Sequence, residues 1–188
     1  MKSAFDLLDI VARACEELGI PYAVGGSLAA MMYGELRLTT DIDVVVHLRP
    51  QDVPRLLARF PHPRYYRDEH AALEAIRTGS QFNIIDNETG LKADIFIAGD
   101  AISRLQVDNA RRMETAFGGM VMVSPPEELI LMKMKYYSFA WTEKHLRDIS
   151  GMLDSPLQEI DEARIRSLAE RHGLAHVWEA VQSRRARG

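Results

Sequence analysis

The run Asp41-Ile42-Asp43-Val44-Val45-Val46 constrains this chain more than any other stretch. Its β-branched, apolar make-up demands a central strand, because an exposed edge would leave Ile42 and the three valines in water. Strand residues two apart share a face, so Asp41 and Asp43 aim together while Ile42, Val44 and Val46 aim the other way. Carboxylates paired on a buried strand repel each other unless a cation shares them. Mg²⁺ suits such a pair, since it takes one or two carboxylates together with phosphate oxygens. A lone Asp-x-Asp is weak evidence, however, and two aspartates exposed at a strand mouth is its simpler alternative.

Upstream, Tyr22-Ala23-Val24 predicts a short strand, and Gly25-Gly26 turns the chain into a helix capped by Ser27 and running to about Tyr33. The two glycines let the backbone approach a ligand, and the helix start offers N–H groups to a phosphate. Taken alone, the turn is more readily a tight bend without a ligand. It lacks the third glycine of a dinucleotide fingerprint and the lysine of a Walker loop. A third acid, Asp94, interrupts the apolar strand Ala93-Asp94-Ile95-Phe96-Ile97, where a charge without a partner is costly. An edge position or an ion pair with an arginine would also explain it. If this strand lies beside the Asp41–Val46 strand, three carboxylates converge, enough for two metal ions clamping a phosphoryl displacement.

Periodicity and punctuation supply the remaining elements. Ser3 caps a helix to about Leu18, stopped by Gly19. Further helices are expected at Gln51–Phe60, His70–Thr78 and Ser103–Met113. A hairpin joins Phe82–Ile85 to Ala93–Ile97 through Asp86–Gly90, and Met120–Val123 is another strand. From Ser124, the expected cap before Pro125-Pro126-Glu127, the pattern is helical: Glu127–Tyr137, Lys144–Leu153, Asp161–His172 and Leu174 to about Gln182. The expected fold is α/β (α+β), a small mixed β-sheet with flanking helices over residues 1–123 and a C-terminal helical part, 124–188, packed on that core.

A net charge of −4 argues against a broadly cationic nucleic-acid surface, although Arg184, Arg185 and Arg187 form a short basic tail. The single cysteine, Cys15, excludes an intramolecular disulfide and suits a reducing compartment. No apolar run approaches membrane-spanning length, and Asp6 and Asp9 precede any signal-like segment, so a cytoplasmic protein with no membrane partner is expected. The histidines show no metal-ligand spacing. Tyr136, Tyr137, Phe139 and Trp141 are expected to pack between helices rather than to stack a base.

The set Gly25-Gly26-Ser27, Thr40-Asp41-Ile42-Asp43 and a later hydrophobic-Asp94-hydrophobic strand resembles the polymerase-β-type nucleotidyltransferase superfamily. Within it, Glu127-Glu128-Leu129-Ile130, Lys133 and Arg147-Asp148 resemble motifs of the minimal nucleotidyltransferases related to the AbiEii toxin family. The resemblance implies a catalytic set of Asp41, Asp43, Asp94, Lys133 and Asp148. The three aspartates would hold two Mg²⁺ ions with an NTP as substrate. Gly25, Gly26 and Ser27, with Thr40 and Arg37, would form the triphosphate side. Lys133 would neutralise phosphate charge, with Lys135 two residues on as its rival, and Asp148 would orient Lys133 or act as an auxiliary base. The implied reaction moves a nucleoside monophosphate to a hydroxyl of RNA, protein or a small molecule. A toxin–antitoxin setting with a cognate antitoxin fits the resemblance. A non-catalytic nucleotide- or partner-binding module and an antibiotic-modifying adenylyltransferase are the competing expectations.

Overall fold

In the computed structural model, residues 3–33, 39–115, 118–140, 143–156 and 159–186 are described. The chain opens with α1 (Ala4–Leu18), whose start is a capping box. The Asp6 N–H donates to the Ser3 hydroxyl, and the Asp6 carboxylate accepts from the Ser3 N–H. Gly19, at φ +66, ends it in the left-handed conformation. Then follow β1 (Tyr22–Val24), α2 (Gly26–Met32) and β2 (Ile42–Val46). A short 3₁₀ turn at Pro50–Asp52 leads into α3 (Val53–Leu57), β3 (Tyr65–Tyr66) and α4 (Glu69–Thr78). The expected hairpin is present as β4 (Gln81–Asp86) and β5 (Lys92–Ile97) in antiparallel register.

The next segment departs from expectation. The helix α5 covers only Ala101–Asp108, and Arg111–Glu114 forms β6 instead of continuing to Met113 as helix. Asp100 starts α5 by accepting the Ile102 and Ser103 N–H groups, and Asn109 closes it. The following residues are drawn off by antiparallel pairing with β7 (Met120–Val123). Such pairing is long-range and cannot be read from local pattern.

From there the chain is helical: α6 (Pro126–Ala140), α7 (Glu143–Leu153), α8 (Glu162–Arg171) and α9 (Ala175–Arg185). Helix α6 runs past the expected end at Tyr137. Two expected caps fail. Ser27 lies inside the first turn of α2, whose N-cap is Gly25 without a side-chain bond. The Ser124 hydroxyl is buried with no hydrogen-bond partner among the described residues, while its N–H donates to the Val24 carbonyl at 2.9 Å, extending the sheet.

The strands form one seven-stranded mixed sheet, ordered β3-β4-β5-β2-β1-β7-β6 among the described residues. β2 runs parallel to β5 and antiparallel to β1, and β1 runs parallel to β7. Alternation along these strands decides what each face of the sheet carries. Ile42, Val44 and Val46 of β2, Ala93, Ile95 and Ile97 of β5, and Phe82 and Ile84 of β4 enter the main core. That core also takes in α1 and the buried faces of α6 to α9. Each fully buried isoleucine or valine there contributes roughly 1.5–3 kcal/mol. The opposite face has a smaller apolar cluster of Ala23, Val45, Ala98 and Val107, with Phe96 packed on it. Asp43, Lys92, Asp94 and Asn83 fall on this second face by the same alternation, because each sits one residue away from a main-core position. Cys15 is buried, and burial pushes its thiol up to about 12, which is the behaviour of a small core hydrophobe. No helix among the described residues is long and apolar enough to cross a membrane.

Candidate active site

The second face of the sheet opens into a cleft of about 740 Å³, walled on its far side by α6 and α7. Its floor is the register of β2 against β5, which sets Asp43 directly beside Asp94. Asp41 joins the lining from the residue preceding β2, so the three acids do face one cleft. Burial, then the charges of Asp94 and Asp41, push the Asp43 carboxyl up from its ordinary value to about 6, against opposing pulls from Lys92 and Lys133.

The glycine turn sits against this carboxylate. The Gly25 N–H donates to the Asp43 carbonyl at 2.8 Å, tying the start of α2 to β2. Gly26 has φ +58, and a Cβ placed there would lie 1.7 Å from Asp43 Oδ2. No other residue type leaves the Asp43 carboxylate where it is. Gly26 and Ser27 line the cleft, whereas Thr40 is exposed and outside the lining. Arg37 lies outside the described residues.

The opposite wall carries the lysines. Lys133 on α6 and Asp148 on α7 are both buried, 8% and 7% exposed, and their Nζ–Oδ2 distance is 2.9 Å. Lys135 also lines the cleft, paired to Asp100 at 2.9 Å, and is the more exposed of the two lysines. Arg147 is exposed and outside the lining. The packing expected of the aromatic cluster holds for Tyr137, which is buried. Tyr136 and Phe139 instead face the cleft, Phe139 at 75% exposure, and Tyr136 stacks on His145 with ring centroids 5.9 Å apart. Trp141 is outside the described residues. Burial, then Lys133, lowers the His145 pKa.

Lys92 and Asn83 join the site although neither is among the residues expected from the sequence. Lys92 Nζ lies 2.8 Å from Asp94 Oδ2, and the Asn83 amide donates to Asp94 Oδ1 from the facing position on β4. The signal was present, since Lys92 precedes Asp94 by two strand positions and must share its face.

The donor chemistry fits a divalent cation. Two carboxylates lie abreast, a third faces the same cleft, and burial, then the charges of Asp94 and Asp41, push the Asp43 carboxyl upward. Among the described residues no three His, Cys, Asp or Glu side chains are already gathered as a ligand group, and Lys92 and Asn83 engage both oxygens of Asp94.

No family model and no curated protein matches this sequence. Solved structures do match its architecture. An antigenic nucleotidyltransferase-like protein from Paracoccidioides brasiliensis is 20% identical, with a TM-score of 0.53 over 95% of this chain and 93% of that one. ANT(2'')-Ia in complex with adenylyl-2''-tobramycin is 15% identical over 95% and 96% of the two chains, with a TM-score of 0.45. The Thermotoga maritima CCA-adding enzyme complexed with tRNA is 16% identical over 90% of this chain and 42% of its own, with a TM-score of 0.43. The first of these shows the class: this chain has the fold of nucleotidyltransferase-like proteins.

Proposed function

We propose that this protein is a Mg²⁺-dependent nucleotidyltransferase, moving a nucleoside monophosphate from an NTP to a hydroxyl acceptor with release of pyrophosphate. The observation that carries the proposal is the placement of Asp43 and Asp94 side by side under Gly26. A carboxylate pair in which Asp43 has a raised pKa, beside a backbone cleared of every Cβ, makes sense where charge and phosphate must meet closely. A bound divalent cation would neutralise the phosphates and polarise the group attacked, with Asp41, Asp43 and Asp94 as its protein ligands.

The chain's own groups do the rest. The turn at Gly25 and Gly26 presents backbone, and Ser27 a hydroxyl, to the triphosphate. Lys133, fixed by Asp148, brings positive charge to the opposite side of the cleft, where pyrophosphate charge develops. Asp94, lining the same cleft, would help deprotonate the acceptor hydroxyl. Tyr136 and Phe139 offer flat apolar faces at the cleft mouth for a base. The meeting of Lys133 with Asp148 from separate helices supports placing the chain with the minimal nucleotidyltransferases related to the AbiEii toxin family. A toxin role with a cognate antitoxin belongs to that placement, and RNA, a protein or a small molecule is the acceptor.

Thermal shift with each NTP, with and without Mg²⁺, tests the proposal. Stabilisation that requires the metal is expected. Stabilisation indifferent to Mg²⁺ would favour a non-catalytic nucleotide-binding module instead.

A further inference from the structure

Lys92 is a cation set into the acid cluster that the proposed reaction gives no task. It projects from β5 on the same face as Asp94, holds Asp94 Oδ2 at 2.8 Å, and lines the cleft together with Asp41, Asp43, Gly26 and Ser27. Asn83 holds the other oxygen of Asp94. Asp94 is thereby turned to protein donors, while Asp43, beside it, forms no ion pair with a cleft lysine among the described residues. A lysine head is a point charge on a flexible four-carbon stem, so it can leave a carboxylate for a phosphate without moving the strand. A triphosphate entering past Gly26 and Ser27 presents such phosphates within the same cleft.

We infer that Lys92 is a built-in counter-ion that occupies the acid cluster until a triphosphate draws its ammonium away, so that metal ion and nucleotide enter this cleft as a pair. The inference rests on the nucleotidyltransferase reading of the site. Lys92 acts through Asp94 and is a positioning residue. In the nucleotide-free protein it competes with a divalent ion for Asp94. Once its ammonium is on phosphate, Asp94 is released to the ion. Metal and nucleotide are then coupled by a free energy held in one side chain, and by linkage each raises the other's affinity by the same factor.

The test is Mn²⁺ binding, followed by its paramagnetic resonance signal in the wild-type protein and in Lys92→Met. Each is measured alone and with the α,β-methylene analogues of ATP, CTP, GTP and UTP in turn. Circular dichroism confirms that the variant is folded. In the wild type a nucleotide analogue should sharply raise Mn²⁺ affinity. In Lys92→Met, Mn²⁺ affinity without nucleotide should rise about tenfold, and the increment due to nucleotide should shrink by the same factor. An equal rise with and without nucleotide would reflect only the lost positive charge and would overturn the inference. So would Mn²⁺ affinities unchanged in the variant while the wild type keeps its nucleotide dependence. Failure of the wild type to bind Mn²⁺ even with every analogue would overturn the nucleotidyltransferase reading itself, and this inference with it.

Discussion

Two groups of acids in this protein, one at the start of α6 and one in the cleft, are built on opposite principles. At the start of α6, Glu127 and Glu128 are 4% and 0% exposed, yet donors meet each of them. Glu128 Oε1 accepts from the Asn109 amide at 2.9 Å and from the Arg164 guanidinium, which binds α8 to α6. Glu127 Oε1 accepts the Asp161 N–H at 3.2 Å, and Arg111 stands 4.0 Å from its other oxygen. In the cleft, by contrast, Asp43 is crowded by Asp41 and Asp94, and the backbone beside it is stripped to glycine. Acids tied to donors on separate elements hold those elements together. Asp43, partly buried and pressed on its acidic neighbours, is instead costly to keep ionised.

The contrast predicts opposite signs for removing an acid. In metal-free protein the raised pKa of Asp43 means that its ionised form opposes folding. That cost is absent below about pH 4, where the group is protonated in both states, and complete above about pH 6. Urea denaturation should therefore find Asp43→Asn more stable than wild type at pH 7, by at most about 3 kcal/mol, with the gap closing as pH falls from 6 to 4. A variant less stable than wild type at pH 7 would break the comparison.

Glu128→Ala should do the reverse. It removes the acceptor shared by Asn109 and Arg164 and leaves a space at the junction of α6 and α8. Since the Arg164 side chain is 42% exposed and can rehydrate, a loss of about 2–3 kcal/mol is expected. Metal-dependent NTP binding per folded molecule should survive. The smallest effect belongs to Lys135→Ala: its pair with Asp100 is partly exposed, so stability should fall by at most about 1 kcal/mol. Turnover should fall less than in Lys133→Ala, and a larger loss for Lys135→Ala would exchange the two lysines' roles.

How far the site was legible in the sequence follows the range of the forces involved. The faces of β2 and β5 follow from period-two alternation, which is local, and so Asp43 and Asp94 were assigned to their strands correctly. That the two strands are neighbours was a conditional until the register set Asp43 against Asp94. The meeting of Lys133 with Asp148 followed from a resemblance, because no local pattern brings two helices together. Ser27 looked like a cap by residue type, but the cap lies two residues earlier at Gly25, and Gly26 adopts a positive φ that accommodates Asp43. β6 was hidden because its Arg111-Arg112-Met113-Glu114 sequence carries no strand pattern and its pairing comes entirely from β7. Lys92 and Asn83 were overlooked for a different reason. Neither is an acid, yet both occupy positions facing Asp94 along and across the strand, which period-two alternation places on its face.

The central claim is that Asp43 belongs to a metal-dependent transfer centre. The most direct measurement is transfer of label from each α-labelled NTP, with Mg²⁺ and a cell extract supplying acceptors, by wild type and Asp43→Asn at equal folded concentration. The wild type should label RNA, protein or a small molecule and release pyrophosphate, and Asp43→Asn should lose about a thousandfold of that rate while remaining folded. Equal turnover by the two proteins would contradict the account.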